Sequence, residues 1–445
     1  MIRHRLHLHA LLALAAAALL ALAGCGGGDD DNGGGGSSTT SANTDVSGNV
    51  SVVGIWTGDE QKSFQAVIDR FNETYPNVRV KYTSAGDNVP TVVGTAVEGG
   101  NPPDIATIAQ PGLIREFQQK GAAKPIEYAR PTLEENYPPD FVKLGTIDGK
   151  LYSFVFKGAN KSTVWYNVSA FRNAGVDAPA TWDDFLADGR TLKASGVPAY
   201  AIGGSDGWPL TDLFENIYLR QAGPEKYDQL SRHEIKWTDP SVREALRTMA
   251  QVLSDTSNLA GRAAATQTEF TKSVEDVFQD PPRAAQVIEG DFVPGVVSSK
   301  TKLRAGTGYD VFPFPSLGDG GENVVVGGGD SITVFTDTPA VRAFVRFLAT
   351  PEAAQAWAER GGFSSPNRGV DDSAYPDDIT RTVATAIANA DTFRFDMSDL
   401  APAAFGGTPG QGEWKILQDF ASNPSDVNGT ATKLEAAAAR AYGQG

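Results

Sequence analysis

Carboxylates, amides and aromatic rings recur in this chain at one kind of place, the polar turn that follows an apolar strand pattern. Trp56, Asp59 and Glu60 follow the run Val50–Ile55. Asp87 and Gln110 follow the next two strand patterns, and Asn160 and Lys161 follow a glycine in the middle of the chain. Asp206 and Trp208, then Asp291 and Phe292, then Gly329 and Asp330, and last Phe405 in an irregular interval, complete the set. A polyhydroxylated solute presents vicinal hydroxyls at its rim and apolar C–H faces. Carboxylates and amides suit the rim, and aromatic rings suit the faces. Each residue also has a plainer reading. A carboxylate can cap a helix, Trp56 and Trp165 can fill a core, and Lys157 and Lys161 fit ion pairs as well as a ligand; Trp208, after a glycine-rich turn, is the better placed to face a ligand.

Covalent and metal chemistry has little to work with. Four histidines occur, three of them at His4, His7 and His9, so His233 is the only imidazole outside the first residues, and Cys25 is the only cysteine. Zinc sites and Ser-His or Cys-His catalysis need more than that. Gly203-Gly204-Ser205-Asp206-Gly207 fits the nucleophile-elbow pattern, but its one histidine partner lies too early in the chain for that fold. Two carboxyls at the spacing of a glycosidase are open to any chain with 54 acids, so a secreted glycoside hydrolase stays as an alternative. Gly327 to Asp330 lacks the lysine of a phosphate loop. The sequence therefore assigns no catalytic residue, no cofactor and no metal site.

The elements that must position these groups alternate between strand and helix. Val50, Val52, Val53 and Ile55 form a β-branched run, and Phe64, Val67, Ile68 and Phe71 recur at helical spacing until Pro76. Val78–Tyr82 and Ile105–Ile108 repeat the pattern, with Pro90 in the first turn of the intervening helix. Three strand-helix units in succession indicate a parallel sheet, whose ligands sit at the carboxyl ends of the strands. Asp148-Gly149 predicts a hairpin, Thr181 a helix cap, and Phe156–Ser162 a first crossing between lobes. Asp310–Pro315 is extended by its prolines and predicts another crossing. Gly327–Asp330 predicts a turn between the strands Val324–Val326 and Ser331–Phe335.

The first residues bear on location. Arg3 and Arg5 precede an apolar run from about Ala10 to Ala23, and Leu22-Ala23-Gly24-Cys25 closes it. About a dozen apolar residues are too few to span a bilayer core of about 30 Å, so residues 1–24 read as a signal peptide. Residues 25–48 hold Gly, Asp, Ser, Thr and Asn with little to bury, a flexible tether of about 25 to 30 Å reach. The net charge of −16 lacks the basic surface that nucleic acid requires.

The closing tetrapeptide resembles a bacterial lipoprotein signal, which implies a lipid on Cys25. Beyond the tether the chain resembles the extracytoplasmic solute-binding proteins of bacterial carbohydrate ABC transporters. The residues that carry the resemblance are W-T-G-D-E from Trp56, G-N-P-P-D-I-A from Gly100, Q-P-G from Gln110, D-G-K-L-Y from Asp148, T-V-W-Y-N from Thr163, D-G-W-P-L from Asp206, G-G-G-D from Gly327 and A-T-P-E-A-A-Q-A-W from Ala349. G-G-F-S-S-P-N from Gly361 and D-T-F-R-F-D from Asp391 look most like members that bind α-glucosides. The resemblance implies an α/β, two-lobed periplasmic-binding-protein-like fold of type II, with a hinge crossed more than once. Lobe one would hold residues 49–157 and 306–360, and lobe two residues 161–300 and 363–445. It implies a monomer that binds an oligosaccharide between its lobes and hands it to permease subunits, with ligand contacts from the turns named above. Relatives often carry Trp after the Glu-Gly pair where this chain has Asp291-Phe292. A receptor for a polyamine is the alternative within binding proteins, and Lys157 and Lys161 count against it.

Overall fold

Two β-sheets, each backed by helices, face one another in the computed structural model, which describes residues 45–261, 264–318, 324–387 and 390–443. The signal segment, Cys25 and most of the tether lie outside the described residues. In chain order the strands are β1 Gly48–Gly54, β2 Val78–Ser84, β3 Ile105–Ile108, β4 Thr146–Ile147, β5 Lys150–Leu151, β6 Ser153–Asn160, β7 Thr163–Asn167, β8 Tyr200–Ala201, β9 Gln286–Ile288, β10 Tyr309–Pro313, β11 Val324–Val334 and β12 Thr392–Phe395. The first sheet runs β12-β11-β3-β1-β2, with β6 also paired to β11. The second runs β10-β7-β9-β8.

The opening unit forms as its pattern dictates. β1 pairs in parallel with both β2 and β3, so it is covered on both edges. The helix Gly58–Thr74 buries Phe64, Val67, Ile68 and Phe71 against the first sheet. Pro90 sits in the first turn of Val89–Glu98. Thr181 accepts a hydrogen bond from the Asp184 N–H. β4 and β5 form the predicted hairpin, with Asp148 and Gly149 at φ 51° and 78°. Behind the second sheet, Phe214, Tyr218 and Leu246 anchor a separate helical core.

Three expectations need correction. Asp310–Pro315 is not a crossing. β10 pairs antiparallel with β7 from Tyr309 opposite Asn167 to Pro313 opposite Thr163, so this segment, assigned to lobe one by the boundary at 306, packs with the second sheet. β10 is an edge strand and Pro313 is its last residue, positions that tolerate a missing N–H. The passage back is β11, and here the second correction falls. Gly327–Gly329 is no turn, because Val324–Val334 is one continuous strand with a register shift at Asp330/Ser331. Its glycines serve close approach instead. A Cβ on Gly327 would come within 2.3 Å of the Phe393 ring, one on Gly328 within 2.8 Å of Lys161 Cε, and one on Gly329 within 2.4 Å of Val155 Cγ1. The chain passes between the sheets at Asn160–Thr163 and along β11, and the third correction follows from β12, which the boundary at 363 assigned to lobe two but which pairs in parallel with β11 in the first sheet.

Candidate ligand cleft

A cleft of about 610 Å³ opens at the carboxyl ends of the central strands, where the two sheets face each other. Eleven of the fourteen residues singled out by sequence line it: Trp56, Asp59, Glu60, Asp87, Gln110, Lys161, Asp206, Trp208, Phe292, Gly329 and Asp330.

The wall from the first sheet is built on carboxylates. Asp59 and Glu60 stand in the first turn of Gly58–Thr74, where the helix dipole favours negative charge. Lys157, from the buried strand β6, lies 3.2 Å from Glu60 and 4.0 Å from Asp330. Burial alone would lower the Lys157 pKa, but Glu60 and Asp330 overcome it and hold it above the ordinary value. Burial raises Glu60 in turn. Trp56 is fully buried at the floor, in edge contact with Trp357 at 4.9 Å, and its Nε1–H donates to Asp330 over 2.6 Å. Core packing and cleft lining, which the sequence posed as alternatives for this tryptophan, are thus met by one side chain.

The wall from the second sheet is aromatic. Trp208, Phe270 and Phe292 lie 5.3, 5.8 and 5.1 Å apart between ring centroids, tilted or edge-on to one another. Lys157 stands 5.2 Å from the Phe292 ring centre and Lys161 6.0 Å from that of Trp208, within reach of cation–π attraction. Trp208 begins the helix Trp208–Ser231, after Gly207 at φ 89°; a Cβ on Gly207 would come within 2.7 Å of Trp414 Cβ. Asp87 lines the cleft with Trp208, from the turn after β2. Burial, and then the Asp206 charge, push the Asp87 carboxyl up to about 7.

At the deep end Lys161 is held by three carboxylates, Asp212 at 3.0 Å, Asp396 in close contact and Asp399 at 3.6 Å. Burial would lower the lysine pKa, but these charges hold it well above the ordinary value. Gln110 sits at the N-cap position of the helix Pro111–Gln119 without a capping side-chain bond, and its Nε2 donates to Asp399 over 3.3 Å. Gln110 Oε1 and Trp414 Nε1 are buried, belong to residues of the cleft lining, and find no hydrogen-bond partner among the described residues. Such atoms are costly unless a ligand or water meets them.

Asn160, Asp291 and Phe405 do not line the cleft. Asp291 is 4% exposed; one carboxylate oxygen accepts from the Asn160 N–H at 2.8 Å and from the Ser364 hydroxyl. Asn160 in turn accepts from Ser162 N–H and donates to the Val383 carbonyl. These two residues pin the crossing strands to each other behind the cleft. Phe405 packs edge-on to Trp237 and Tyr442 in the second core. Residues not selected by sequence also line the cleft, among them Phe270, Trp357, Asp399 and Trp414. Trp357 closes the A-T-P-E-A-A-Q-A-W stretch already marked by sequence, whereas nothing in the spacing around Phe270 or Asp399 marked them.

Among the described residues no cluster of His, Cys, Asp and Glu could hold a metal ion, and no helix is long and apolar enough to cross a membrane.

The profile of the bacterial extracellular solute-binding proteins matches residues 56–355. The alpha-glucosides-binding periplasmic protein AglE of Rhizobium meliloti is 32% identical over 400 residues, 86% of each chain. The osmoprotective compounds-binding protein GgtB of Synechocystis sp. is 29% identical over 364 residues, 80% of this chain and 85% of its own length. Among solved structures, the bacterial solute receptor AcbH superposes with a TM-score of 0.77 at 19% identity, covering 89% of this chain and 99% of its own. A chitin oligosaccharide binding protein gives 0.76 at 19% identity, covering 89% and 99%. With a matched profile over most of its length, a relative above 30% identity and the same two-domain α/β architecture, this chain belongs to the bacterial extracellular solute-binding protein family.

Proposed function

We propose that the chain is the binding component of an ABC importer and captures an oligosaccharide, an α-glucoside among the first to try, in the cleft between its sheets. The observation that carries this reading is the pairing of an aromatic wall, Trp208, Phe270 and Phe292, with a facing wall of carboxylates and one amide, Asp59, Glu60, Asp87, Asp330 and Gln110. Rings cover the C–H faces of a sugar while the carboxylates accept from its hydroxyls. The names of the relatives support the same class of solute. Closure over ligand is favoured because only then do both walls touch it, and the closed form is what a permease would recognise.

Titration calorimetry with maltose, sucrose, trehalose and raffinose tests the reading. At least one should bind with a Kd of about micromolar or tighter. Binding of none, alongside binding of putrescine or spermidine, would move the chain to a polyamine receptor. Prolonged incubation with the bound sugar should return it unchanged. Release of many equivalents of cleaved product per protein would establish the hydrolase instead.

The family places the protein outside the cytoplasm. We infer further that Cys25 carries a lipid that holds it at the outer face of the cytoplasmic membrane, from the apolar run and the Leu22–Cys25 signal. Cys25→Ser should fold and bind as the wild type does while leaving the membrane fraction. Recovery of the variant in that fraction, equally resistant to salt, would count against the anchor.

A further inference from the structure

The cleft has an open end and a closed one. At the open end its lining comes from Ser298, Ser299, Lys300 and Arg360, all exposed, and a Cβ added to Gly295 would meet nothing within 4 Å. At the closed end the lining side chains are Gln110, Asp399 and Trp414, which are 4%, 5% and 3% exposed. Asp399 lies 3.6 Å from Lys161 Nζ, and Gln110 Nε2 donates to Asp399 over 3.3 Å. One segment shuts this end. A Cβ on Gly407 would come within 2.7 Å of Gln110 Cγ, and further along the helix Gly412–Ser422 seats Trp414 against Gly207, the residue before Trp208. Both side chains are held by this packing, yet each keeps one polar atom unpaired. Gln110 Oε1, an acceptor, and Trp414 Nε1–H, a donor, have no hydrogen-bond partner among the described residues. Unpaired buried atoms also occur away from the cleft, at Trp237 and Glu289, but Gln110 and Trp414 are the only described residues of the cleft lining that carry one. The other polar groups here are spent on each other, Gln110 Nε2 on Asp399 and Lys161 on its three carboxylates. The two unpaired atoms are of opposite sense, and hydroxyls answer both, donating to an amide oxygen and accepting from an indole N–H.

We propose that Gln110 and Trp414 are the specificity-determining residues of the closed end, reading hydroxyls on an unsubstituted terminal ring of the ligand while further rings extend toward the open end. This rests on the carbohydrate reading and narrows its substrate class to chain ends of variable length that enter end-on, with sugars blocked on the terminal ring turned away. A ring that lacks the hydroxyl in question leaves a protein atom out of water and unpaired. A site built to hydrogen-bond a hydroxyl rejects the analogue without it far more strongly than an apolar pocket rejects a small change in size. A substituent on that ring meets a wall, because the glycine backbones at 407 and 207 already press on the two side chains from behind. At the open end the lining side chains are solvated, so an added ring displaces little that matters.

The test is titration calorimetry on the full-length protein and on the variants Gln110→Met, which keeps the length of the side chain, and Trp414→Phe, which keeps an aromatic ring. Maltose, sucrose, trehalose and raffinose are the parent probes. The parent that binds most tightly is then compared with its monodeoxy analogues and with derivatives carrying one more ring at either end. The wild type should lose about tenfold to a hundredfold in affinity for an analogue deoxygenated at one or two positions of a single terminal ring. Extension on that ring should weaken binding about a hundredfold or more, and extension at the other end should change it by about threefold or less. Each variant should bind the parent about tenfold weaker, and its own penalty for the critical deoxy analogue should fall to about threefold or less. A variant that only loosens packing would weaken parent and analogues by one common factor and keep the penalty, which would overturn the assignment. Wild-type indifference to every deoxy analogue, or to extension at both ends, would overturn it as well, and these two series decide the matter even where a variant does not fold. Failure of every parent sugar to bind would instead overturn the carbohydrate reading, and this assignment with it.

Discussion

Trp208→Ala should weaken sugar binding by about tenfold to a few hundredfold, equivalent to about 1.5 to 3 kcal/mol, and should shift the melting temperature by only a few degrees. The indole is partly exposed to the cleft rather than sealed in a core, and its ring neighbours Phe270 and Phe292 belong to the same wall. Removing it deletes an indole face that lines the cleft and is partly open to it. The lost ring contacts cost about 1 kcal/mol of folding stability, and in a chain of this length that moves the melting point by about 2 °C or less. Trp165→Ala is the matching control. That ring is fully buried, and its Nε1–H donates to Thr163 and to the Gly290 carbonyl. It should lose about 3 to 5 kcal/mol of stability. Calorimetry and thermal melts on the two variants separate the roles. Wild-type affinity in Trp208→Ala would mean that the aromatic wall is not where the ligand lies.

The contrast between those two tryptophans shows what a sequence can and cannot carry. Strand ends were legible because an apolar β-branched run followed by a polar turn has few other uses, and the turns after β1, β2, β3 and β8 all deliver the expected side chains to the cleft. Direction was not legible. Asp291 and Phe292 are adjacent in one such turn, yet Phe292 joins the wall while Asp291 turns inward to hold Asn160 and Ser364. Only the packing of two crossing strands decides that, and it is a contact over 131 residues. The three glycines of β11 were misread for a related reason. Locally they signal a turn, whereas their role is to let Phe393, Lys161 and Val155 approach a straight strand from three other segments. Prolines misled in the opposite sense at β10, since an edge position removes the objection to them. Phe270 had no local signal at all, because it sits at the start of a helix whose place in space depends on the whole second core.

Lys161→Met should cost about 3 to 5 kcal/mol near pH 8, the range for removing one partner of a buried ion pair, and clearly less near pH 5. Lys161 sits on the first crossing, and the carboxylates around it come from two other helical segments, Asp212 from Trp208–Ser231 and Asp396 and Asp399 from the cap and body of Met397–Leu400. Glu215 and Glu413 are buried close by, and Glu413 has no hydrogen-bond partner among the described residues. Burial pushes the carboxyls of Asp212, Asp399, Glu215 and Glu413 well above the usual carboxylate range. Asp396 is the exception. Burial would raise it, but the Lys161 charge and its hydrogen bonds hold it below the ordinary range. A depressed acid contributes stability above its unfolded pKa of about 4 and loses it only as pH falls through the folded value. Without the lysine, burial acts on Asp396 unopposed and its pKa rises like its neighbours'. A raised acid costs nothing below pH 4, and the cost grows as pH climbs toward the folded value. The difference between wild type and variant must therefore widen from acid to neutral pH. Urea melts of wild type, Lys161→Met and Lys161→Met/Asp396→Asn at the two pH values decide it. The double variant should recover much of the loss at pH 8, because a neutral amide leaves no stranded charge. A loss that is equal at both pH values, or unrelieved in the double variant, would show that Lys161 matters here as a space-filling chain and not as the cation that keeps one carboxylate ionised.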